Sequence, residues 1–527
     1  MQLRMTTSHY FFITLIVLLQ LCSAYKILVL FPFPRRSHSI LGYGIVRNLL
    51  EAGHEVIYVT SFPKVQPPKN LTQLDVSSVM EMTGGAAIKS IIDKEDSFND
   101  QKLFFTIVNN VTKSTLKHKE MQEIFYDQNI HFDAIIAEWL FSDLFSAVQT
   151  IYDCPFIWLS SCDPHWAAIM LIDEATNPAY VPNIISEDLP PFSFVQRVRE
   201  LLIQTIAYLF RELYFVRVEA ALYEEIFTPI LKHRGKTLPP YLDVKFNTSL
   251  MLGNSHVSIG QSISLPQSYK PVGGYHVDPK VTPLPEDLQR LMDTAKHGVI
   301  YFSLGSTVNG KDLPDSIKKS LLQMFGGLKH TVIWKIEEIL ENLPKNVHIL
   351  KWAPQTSILS HPNCRVFITH GGMLSTTETV HFGVPIIGIP VFGDQFANIQ
   401  RAVKRGFAIK VDLSYNMSEK LKMAIEEILS DNKYTERVKE LSWIYHDRPM
   451  APGAELVHWV QHAVRTRGAA HLRSPALTMP VYQKMYLDLV VLVLVFSIVS
   501  YNLLENSLKI LCGSKRQKMA NGNKKKN

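Results

Sequence analysis

The 527-residue sequence predicts an α/β protein with two doubly wound, Rossmann-like domains and a C-terminal transmembrane helix. Three observations predict this fold class. Short apolar runs typical of buried parallel strands alternate with helical patterns in both halves of the chain. A proline-rich interval with weak periodicity, 278–286, separates the two halves. A continuous apolar run near the C-terminus, 487–504, is just long enough to cross a bilayer.

The first half opens with a predicted β-α-β unit. Lys26–Phe31 is almost wholly apolar, as expected for a strand buried on both faces. The interval 39–52 has apolar residues at helical spacing and ends at Gly53, and Glu55–Thr60 fits a second strand. Further strands of this kind are predicted at 132–137, 154–159, 298–304, 331–334, 347–350, 365–369, 385–389 and 407–411.

These patterns divide the chain into six segments. They are a signal peptide (1–24), an N-terminal domain (25–280), a C-terminal domain (285–450), a helix with its connector (451–486), the transmembrane helix (487–505) and a basic tail (506–527). The first segment has an early cation, Arg4, an apolar run and the small residues Cys22-Ser23-Ala24, which fit a cleaved secretory signal. An uncleaved anchor is the alternative.

The tail predicts the orientation of the chain. It carries seven basic residues and no acidic residue. Positive charge beside a membrane span favours the cytoplasmic side, which puts the body of the protein in the lumen. The last four residues, Lys-Lys-Lys-Asn, resemble the dilysine retrieval signal of the endoplasmic reticulum. We therefore expect a single-pass type I protein of the endoplasmic reticulum membrane.

Charge and cysteine content exclude other classes. Outside the tail, 47 basic residues face 48 acidic ones, which gives no case for nucleic-acid binding. Cys154, Cys162 and Cys364 remain in the predicted lumenal body, and we expect isolated thiols, with a Cys154–Cys162 disulfide as the alternative. N-glycosylation patterns, which would make the chain a glycoprotein, begin at Asn70, Asn110, Asn247 and Asn416.

The segment from Trp352 to Gln395 carries the strongest chemical pattern. A predicted strand ends at Thr369 and is followed by His370-Gly371-Gly372 and then a helix. Small residues at such a turn let a phosphate approach the backbone N–H groups of the helix N-terminus, where the helix dipole favours negative charge. The pattern therefore indicates a pyrophosphate site.

From Phe367 to Gln395 this segment resembles the signature of the UDP-glycosyltransferase superfamily. The resemblance covers nearly the whole chain and is to the membrane-bound animal branch of the family. The stretch Phe33–His38 resembles insect members. It implies the GT-B fold, with a UDP-sugar donor in the C-terminal domain and a small lipophilic acceptor in the N-terminal domain. One departure is Leu374, where many members have an asparagine near the phosphates.

The resemblance also implies the donor-site residues. Trp352 would stack on uracil, Gln355 would lie beside the uridine, and Glu378 would accept hydrogen bonds from the ribose. Asp394 and Gln395 would bind hydroxyls of the transferred sugar. The residues expected to hold the phosphates, with the helix N-terminus, are Ser306, His370, Gly372 and Ser375.

Glycosyl transfer to an alcohol needs a base for the hydroxyl proton, and histidine suits this task because its pKa is near neutral. His38 lies in the predicted loop after the first strand, where open α/β sheets present active groups, and the resemblance implies that it is the base. A carboxylate should orient it. Where the family usually has an aspartate, this sequence has Glu138, with Asp143 five positions on. Glu138 is favoured, and both stay candidates.

No metal site and no cofactor are predicted, because the histidines near the pattern lack an acidic cluster, and the UDP-sugar is a co-substrate. The predicted activity is an inverting, metal-independent hexosyl transfer, with glucose favoured, serving detoxification or the conjugation of hormones or pigments. Two rivals are a non-catalytic UDP-sugar-binding protein of the lumen and a sugar-nucleotide epimerase. The sequence leaves open the acceptor, the choice between glucose and glucuronate, and any homo- or hetero-oligomer.

Overall fold

The computed structural model of the protein describes residues 24–82, 92, 101–306, 308 and 310–523. The predicted signal peptide, apart from Ala24, and the tail residues 524–527 lie outside the described residues. The chain forms one compact unit up to Arg473 and a second from Ser474 onward.

Two parallel sheets organise the first unit. The first has the order β3-β2-β1-β4-β5-β6-β7 and the second the order β10-β9-β8-β11-β12-β13. The strands of the first sheet are β1 (Lys26–Phe31), β2 (Glu55–Thr60), β3 (Leu71–Asp75), β4 (Ala134–Trp139), β5 (Phe156–Ser160), β6 (Leu250–Gly253) and β7 (Tyr269–Pro271). Those of the second are β8 (Val299–Ser303), β9 (Thr331–Lys335), β10 (Val347–Leu350), β11 (Cys364–Thr369), β12 (Ile386–Gly388) and β13 (Ala408–Lys410).

Helices cover both faces of each sheet. Those of the first half are α1 (Arg36–Glu51), α2 (Gln101–Leu116), α3 (Lys119–Tyr126), α4 (Gln149–Tyr152), α5 (Trp166–Ile169), α6 (Phe194–Phe210), α7 (Val216–His233) and α8 (Tyr241–Lys245). Those that follow in the first unit are α9 (Glu286–Thr294), α10 (Asp315–Gly326), α11 (Gln355–Ser360), α12 (Met373–Phe382), α13 (Gln395–Lys404), α14 (Met417–Ser430), α15 (Lys433–His446) and α16 (Pro452–Arg465). The second unit contains α17 (Val481–Lys484) and α18 (Leu487–Asn523).

Strand alternation divides each half into two apolar cores. In β1, Val29 packs with the helices α1 and α16, whereas Leu28 packs on the opposite face with α7. In β8, Tyr301 and Phe302 likewise face opposite cores. Because both faces are buried, these strands are apolar without a polar side. The predicted fold class, two doubly wound α/β domains, is confirmed.

Each sheet has one point at which the strand order reverses direction. It lies between β1 and β4 in the first sheet and between β8 and β11 in the second. In open α/β sheets, ligands bind outside the carboxyl ends of the strands at such switch points. The topology therefore directs attention to the residues that follow these four strands.

After the second sheet the chain returns to the first. Helix α16 packs on α1, and its Leu456 and Val460 belong to the same apolar core as β1. The two helices approach closely, since a Cβ on Gly453 would lie 1.8 Å from the side-chain oxygen of Asn48. The C-terminal helix α18 belongs to the second unit. Its stretch Leu487–Leu511 is long and apolar enough to cross a membrane.

Three strands escaped the sequence-based prediction. Strands β3 and β7 lie at the two edges of the first sheet and are partly exposed, and β6 and β7 are only four and three residues long. Short or half-exposed strands lack the long apolar run that marks a central strand.

The expectation about cysteines is confirmed, because Cys154, Cys162 and Cys364 are free thiols.

Candidate active site

The first switch point brings His38 and Glu138 together. His38 lies in the first turn of α1 and not in a loop as predicted, because the helix begins at Arg36, three residues before the predicted start at residue 39. Glu138 is the penultimate residue of β4 and is buried. The imidazole Nδ1 of His38 contacts Oε1 of Glu138. A carboxylate at Nδ1 fixes the orientation of the ring and leaves Nε2 available to accept a proton.

A third residue completes this cluster. Ser161, directly after β5, donates its hydroxyl hydrogen bond to the same Oε1 of Glu138. On the other side, the ring of Phe33 meets the ring of His38 edge to face, with 4.8 Å between centroids. The histidine is thus held by one polar and one apolar contact. Ser161 follows a buried strand, so the strand-end rule could have found it.

Asp143, the other candidate partner of His38, lies elsewhere. Its Oδ1 accepts hydrogen bonds from Arg211 Nη2 at 2.6 Å and Trp139 Nε1 at 2.9 Å, and Lys245 Nζ lies 3.4 Å from its Oδ2. Burial alone would raise the pKa of this carboxyl group, but Arg211 and then Lys245 outweigh burial and hold the pKa below its ordinary value. The structure therefore places Glu138, and not Asp143, beside His38.

A cavity adjoins Glu138. Its lining is mostly apolar and includes Phe33, Val108, Val111, Leu140 and Phe145. The hydroxyl groups of Thr112 and Ser142 also line the cavity beside the Glu138 carboxylate, and its volume of about 20 Å³ has room for about one water molecule.

The donor-site candidates of α11 and α12 bond directly to one another. Gln355 Nε2 donates to Ser375 Oγ at 3.1 Å and to Glu378 Oε2 at 2.6 Å. The hydroxyl of Tyr301 donates to Gln355 Oε1 at 3.2 Å, which fixes the amide orientation. His276, a buried residue that sequence reasoning missed, places its Nε2 3.5 Å from Glu378 Oε1.

His370 directly follows β11, and its ring lies between Gly305, which comes after β8, and Gly372. A Cβ on Gly305 would lie 2.5 Å from the His370 ring, and a Cβ on Gly372 would lie 2.7 Å from it. Gly305 also has a positive φ of 76°, a conformation that other residues rarely adopt. Ser306, the predicted phosphate ligand that follows Gly305, is partly buried. Glycine is therefore required on both sides of this imidazole.

The environment of His370 makes it a neutral donor. Burial, and then the charge of Lys335, lower its pKa to about 4. Its Nδ1 is buried and has no hydrogen-bond partner among the described residues. Helix α12 begins directly after Gly372, so its first N–H groups lie at the same turn. A neutral imidazole and free amides together can bind a phosphate oxygen.

The two departures from an ideal donor site are local. Leu374, at the position where an asparagine side chain is usual, packs against the apolar core of the first sheet. Trp352 is half exposed, and the guanidinium carbon of Arg36 lies 5.0 Å from its ring centroid. The cation shows that one face of this indole is accessible to a flat, polar group.

Asp394 and Gln395 form the start of α13. Gln395 Oε1 accepts hydrogen bonds from the backbone N–H groups of Val391 at 2.9 Å and Phe392 at 3.1 Å, so it also shapes the turn. Burial raises the pKa of Asp394, opposed by a hydrogen bond from Asn398 and by the nearby charges of Arg401 and His38. Asp394 therefore lies within electrostatic reach of the His38 cluster.

Two doubly wound domains with such a turn in the second define the class of GT-B glycosyltransferases. Solved members share the fold: the glycotransferase of kitacinnamycin matches with a TM-score of 0.54 at 18% identity, over 84% of this chain and 99% of that one. A sequence profile described as "UDP-glucoronosyl and UDP-glucosyl transferase" matches residues 26–518. The chain belongs to that family.

Relatives support the same assignment. UDP-glucosyltransferase 2 of Dactylopius coccus is 34% identical over 488 residues, which are 91% of this chain and 92% of that protein. UDP-glucuronosyltransferase 2B1 of Rattus norvegicus is 28% identical over 399 residues, 73% of this chain and 70% of that protein. The chain is an enzyme, a UDP-glycosyltransferase that transfers a sugar from a UDP-sugar donor to an acceptor.

Proposed function

We propose that this enzyme transfers glucose from UDP-glucose to the hydroxyl of a small lipophilic acceptor, with inversion at the anomeric carbon and without a metal ion or cofactor. The observation that carries the proposal is the contact between His38 and Glu138 at the first switch point. A base held by a carboxylate is what transfer to a neutral hydroxyl requires.

The proposed reaction is a single displacement. His38 Nε2 takes the proton of the acceptor hydroxyl while its oxygen bonds to the anomeric carbon. The bond from that carbon to the β-phosphate oxygen breaks, and its electron pair leaves with UDP. Glu138 stabilises the imidazolium that forms, as the carboxylate does in related histidine-carboxylate pairs. Attack opposite to an α-linked UDP would yield a β-glycoside.

The departing UDP would be stabilised by the C-terminal domain. His370 with its unpaired Nδ1 and the N-terminus of α12 supply hydrogen-bond donors for phosphate oxygens. Glu378 and Gln355 would bind the uridine, and Asp394 with Gln395 the sugar hydroxyls. Because these groups neutralise the leaving charge through N–H donors, no metal ion is needed in the proposal.

We base the proposed acceptor class on the apolar side chains around Glu138 rather than on the size of the cavity beside it. Its apolar lining favours a phenol or another lipophilic alcohol, with the hydroxyl turned toward His38. Glucose is favoured as the donor sugar because the Dactylopius coccus relative is named a glucosyltransferase. Such conjugation would serve detoxification or the handling of hormones and pigments.

We also propose that the protein is a single-pass protein of the endoplasmic reticulum membrane with its catalytic domains in the lumen. The apolar helix Leu487–Leu511 supports a span, and the basic tail supports its orientation. Helix α6 adds support, because Phe194, Val195 and Leu202 are among its strongly exposed apolar side chains. Protease protection of a C-terminally tagged chain in sealed microsomes tests this, since digestion of the tag alone is expected.

A donor panel tests the proposed activity. Microsomes that contain the enzyme are incubated with UDP-glucose or UDP-glucuronate and a set of phenols, and products are identified by mass and by the coupling constant of the anomeric proton. We expect β-glucosides, formed equally well with a chelator present. Glucuronides would overturn the donor assignment, an epimerised nucleotide would favour an epimerase, and UDP binding without turnover would favour a non-catalytic protein.

A further inference from the structure

The loop after β5 connects the His38 cluster to the second domain. Ser161 binds Glu138 through its hydroxyl, and its carbonyl accepts a hydrogen bond from Asn254 Nδ2 at 3.2 Å. Asp163 follows two residues later and is buried. The position of Asp163 is therefore tied, through two residues of backbone, to the carboxylate that holds His38.

Arg401 of α13 reaches this loop from the other domain. Its Nη1 donates to Asp163 Oδ2 at 2.6 Å, and its Nη2 donates to Asn398 Oδ1 at 2.6 Å. The Arg401 and Asp163 side chains are only 14% and 7% exposed. One planar guanidinium thus joins the two domains in a nearly dry environment, where its geometry is specific.

Asn398 carries the connection to the donor site. Its Nδ2 donates to Asp394 Oδ2 at 2.9 Å and to the carbonyl oxygen of Gly371 at 3.0 Å. An asparagine amide can present either its oxygen or its nitrogen to a partner. Because Arg401 can only donate, it holds the Asn398 oxygen toward itself and directs the NH₂ group at Asp394 and Gly371.

We propose that Asp163 and Arg401 are positioning residues that hold the sugar-binding turn in register with the His38–Glu138 base. This inference rests on the proposed function, because it assigns roles to Asp394 and His38 in one reaction. The pair would set the approach of the acceptor oxygen to the anomeric carbon. It would contribute little to binding of the UDP portion, which the separate Gln355–Glu378 network holds.

A kinetic comparison separates positioning from simple adhesion between domains. Arg401→Lys keeps a charge for Asp163 but lacks the planar fork that also reaches Asn398. We expect its kcat to fall about 10- to 100-fold, since displacement of reacting groups by about 1 Å costs on that order. The KM for UDP-glucose and the Kd for UDP should change by less than about threefold, as a remote effect predicts.

Another interdomain ion pair provides the matched control. Lys410 Nζ lies 2.8 Å from Glu187 Oε2, but Glu187 is 45% exposed, and neither residue belongs to the donor site or to the His38 cluster. Exposed pairs of this kind contribute little. Glu187→Gln should therefore leave kcat unchanged. Equal losses of kcat in Glu187→Gln and Arg401→Lys would overturn the inference in favour of a general interface effect.

A second variant guards against misfolding. In Asp163→Leu/Arg401→Met both charges are replaced by apolar groups, which preserves stability in many buried pairs. We expect a melting temperature near that of the wild type, UDP binding intact and kcat still reduced at least tenfold. Wild-type kcat in this double variant would overturn the inference. Absence of glycoside from the wild-type enzyme would instead overturn the proposed function itself.

Discussion

The two halves of the active site are constructed differently. In the C-terminal half, Gln355, Ser375 and Glu378 lie on two successive helices and bond directly to one another. In the N-terminal half, His38 follows β1 and Glu138 lies near the end of β4, a hundred residues apart in sequence. Most of the donor-site candidates therefore lie in one segment of the sequence, Trp352 to Gln395, whereas the proposed base and its carboxylate meet only through the order of strands in a sheet.

The largest expected effect comes from removal of the proposed base, His38. His38→Ala should lower kcat by roughly a thousandfold, because general base catalysis contributes about 10²–10⁴-fold. The measurement is the rate of glucoside formation at saturating donor. His131→Ala, at an exposed histidine, is the control and should keep wild-type turnover. Turnover in His38→Ala within threefold of the wild type would remove His38 from the mechanism.

The two acidic candidates of the N-terminal half should differ in kind. Asp143→Asn removes the carboxylate that pairs with buried Arg211 and leaves Lys245 with Glu212 alone, and removing one partner of a buried pair costs about 3–5 kcal/mol of unfolding free energy. Glu138→Gln should instead lower kcat with little loss of stability. Denaturant unfolding and kinetics on both variants check this, and the reverse pattern would contradict the assignment.

In the donor half, a single carboxylate should affect binding more than chemistry. Glu378→Gln should weaken UDP binding roughly 10- to 100-fold, because hydrogen bonds to charged groups are worth about 1.5–3 kcal/mol. The change in KM for UDP-glucose should follow the change in Kd. Glu426→Gln, at an exposed carboxylate of α14, serves as the control. A fall in kcat at unchanged Kd would place Glu378 in the chemical step.

A further expected effect, on stability rather than on activity, is a pH dependence that comes from His370. Burial lowers its pKa from the ordinary value of 6.5 to about 4, so between these values the unfolded chain binds a proton that the folded chain does not. The contribution of neutral His370 to the free energy of unfolding is complete above pH 6.5 and is lost as the pH falls to about 4. As the pH is lowered over this range, the melting temperature of His370→Gln should fall less than that of the wild type.

Exposed His297 provides the comparison for that measurement. His297→Gln should keep the wild-type pH dependence, because that imidazole is in contact with solvent in both states. Identical pH slopes for the wild type and His370→Gln would show that the imidazole is not buried as described.

Sequence alone predicted the central strands and the donor motif because both are local. Lys26–Phe31 and 365–369 are apolar runs, and His370 is followed directly by Gly371 and Gly372, whereas the contact with Gly305 depends on the fold. The sequence favoured Glu138 over Asp143 but left both as candidates, because the contacts that separate them come from Arg211 and Lys245, which bind Asp143 from distant parts of the chain.

The same reason hid the remaining contacts. His276 meets Glu378, and Arg401 meets Asp163, only after the two domains pack together. Neither residue has a sequence neighbour that reveals its partner. The edge strands β3 and β7 were missed because a half-exposed strand carries a mixed pattern.

The division of labour between the two halves is tested most directly by calorimetric titration of UDP into His38→Ala and Glu378→Gln. We expect His38→Ala to bind UDP with the wild-type Kd. Glu378→Gln should bind UDP at least tenfold more weakly, because it loses a hydrogen bond to a charged group. Equal weakening in both variants would contradict the account, because His38 would then belong to the donor site.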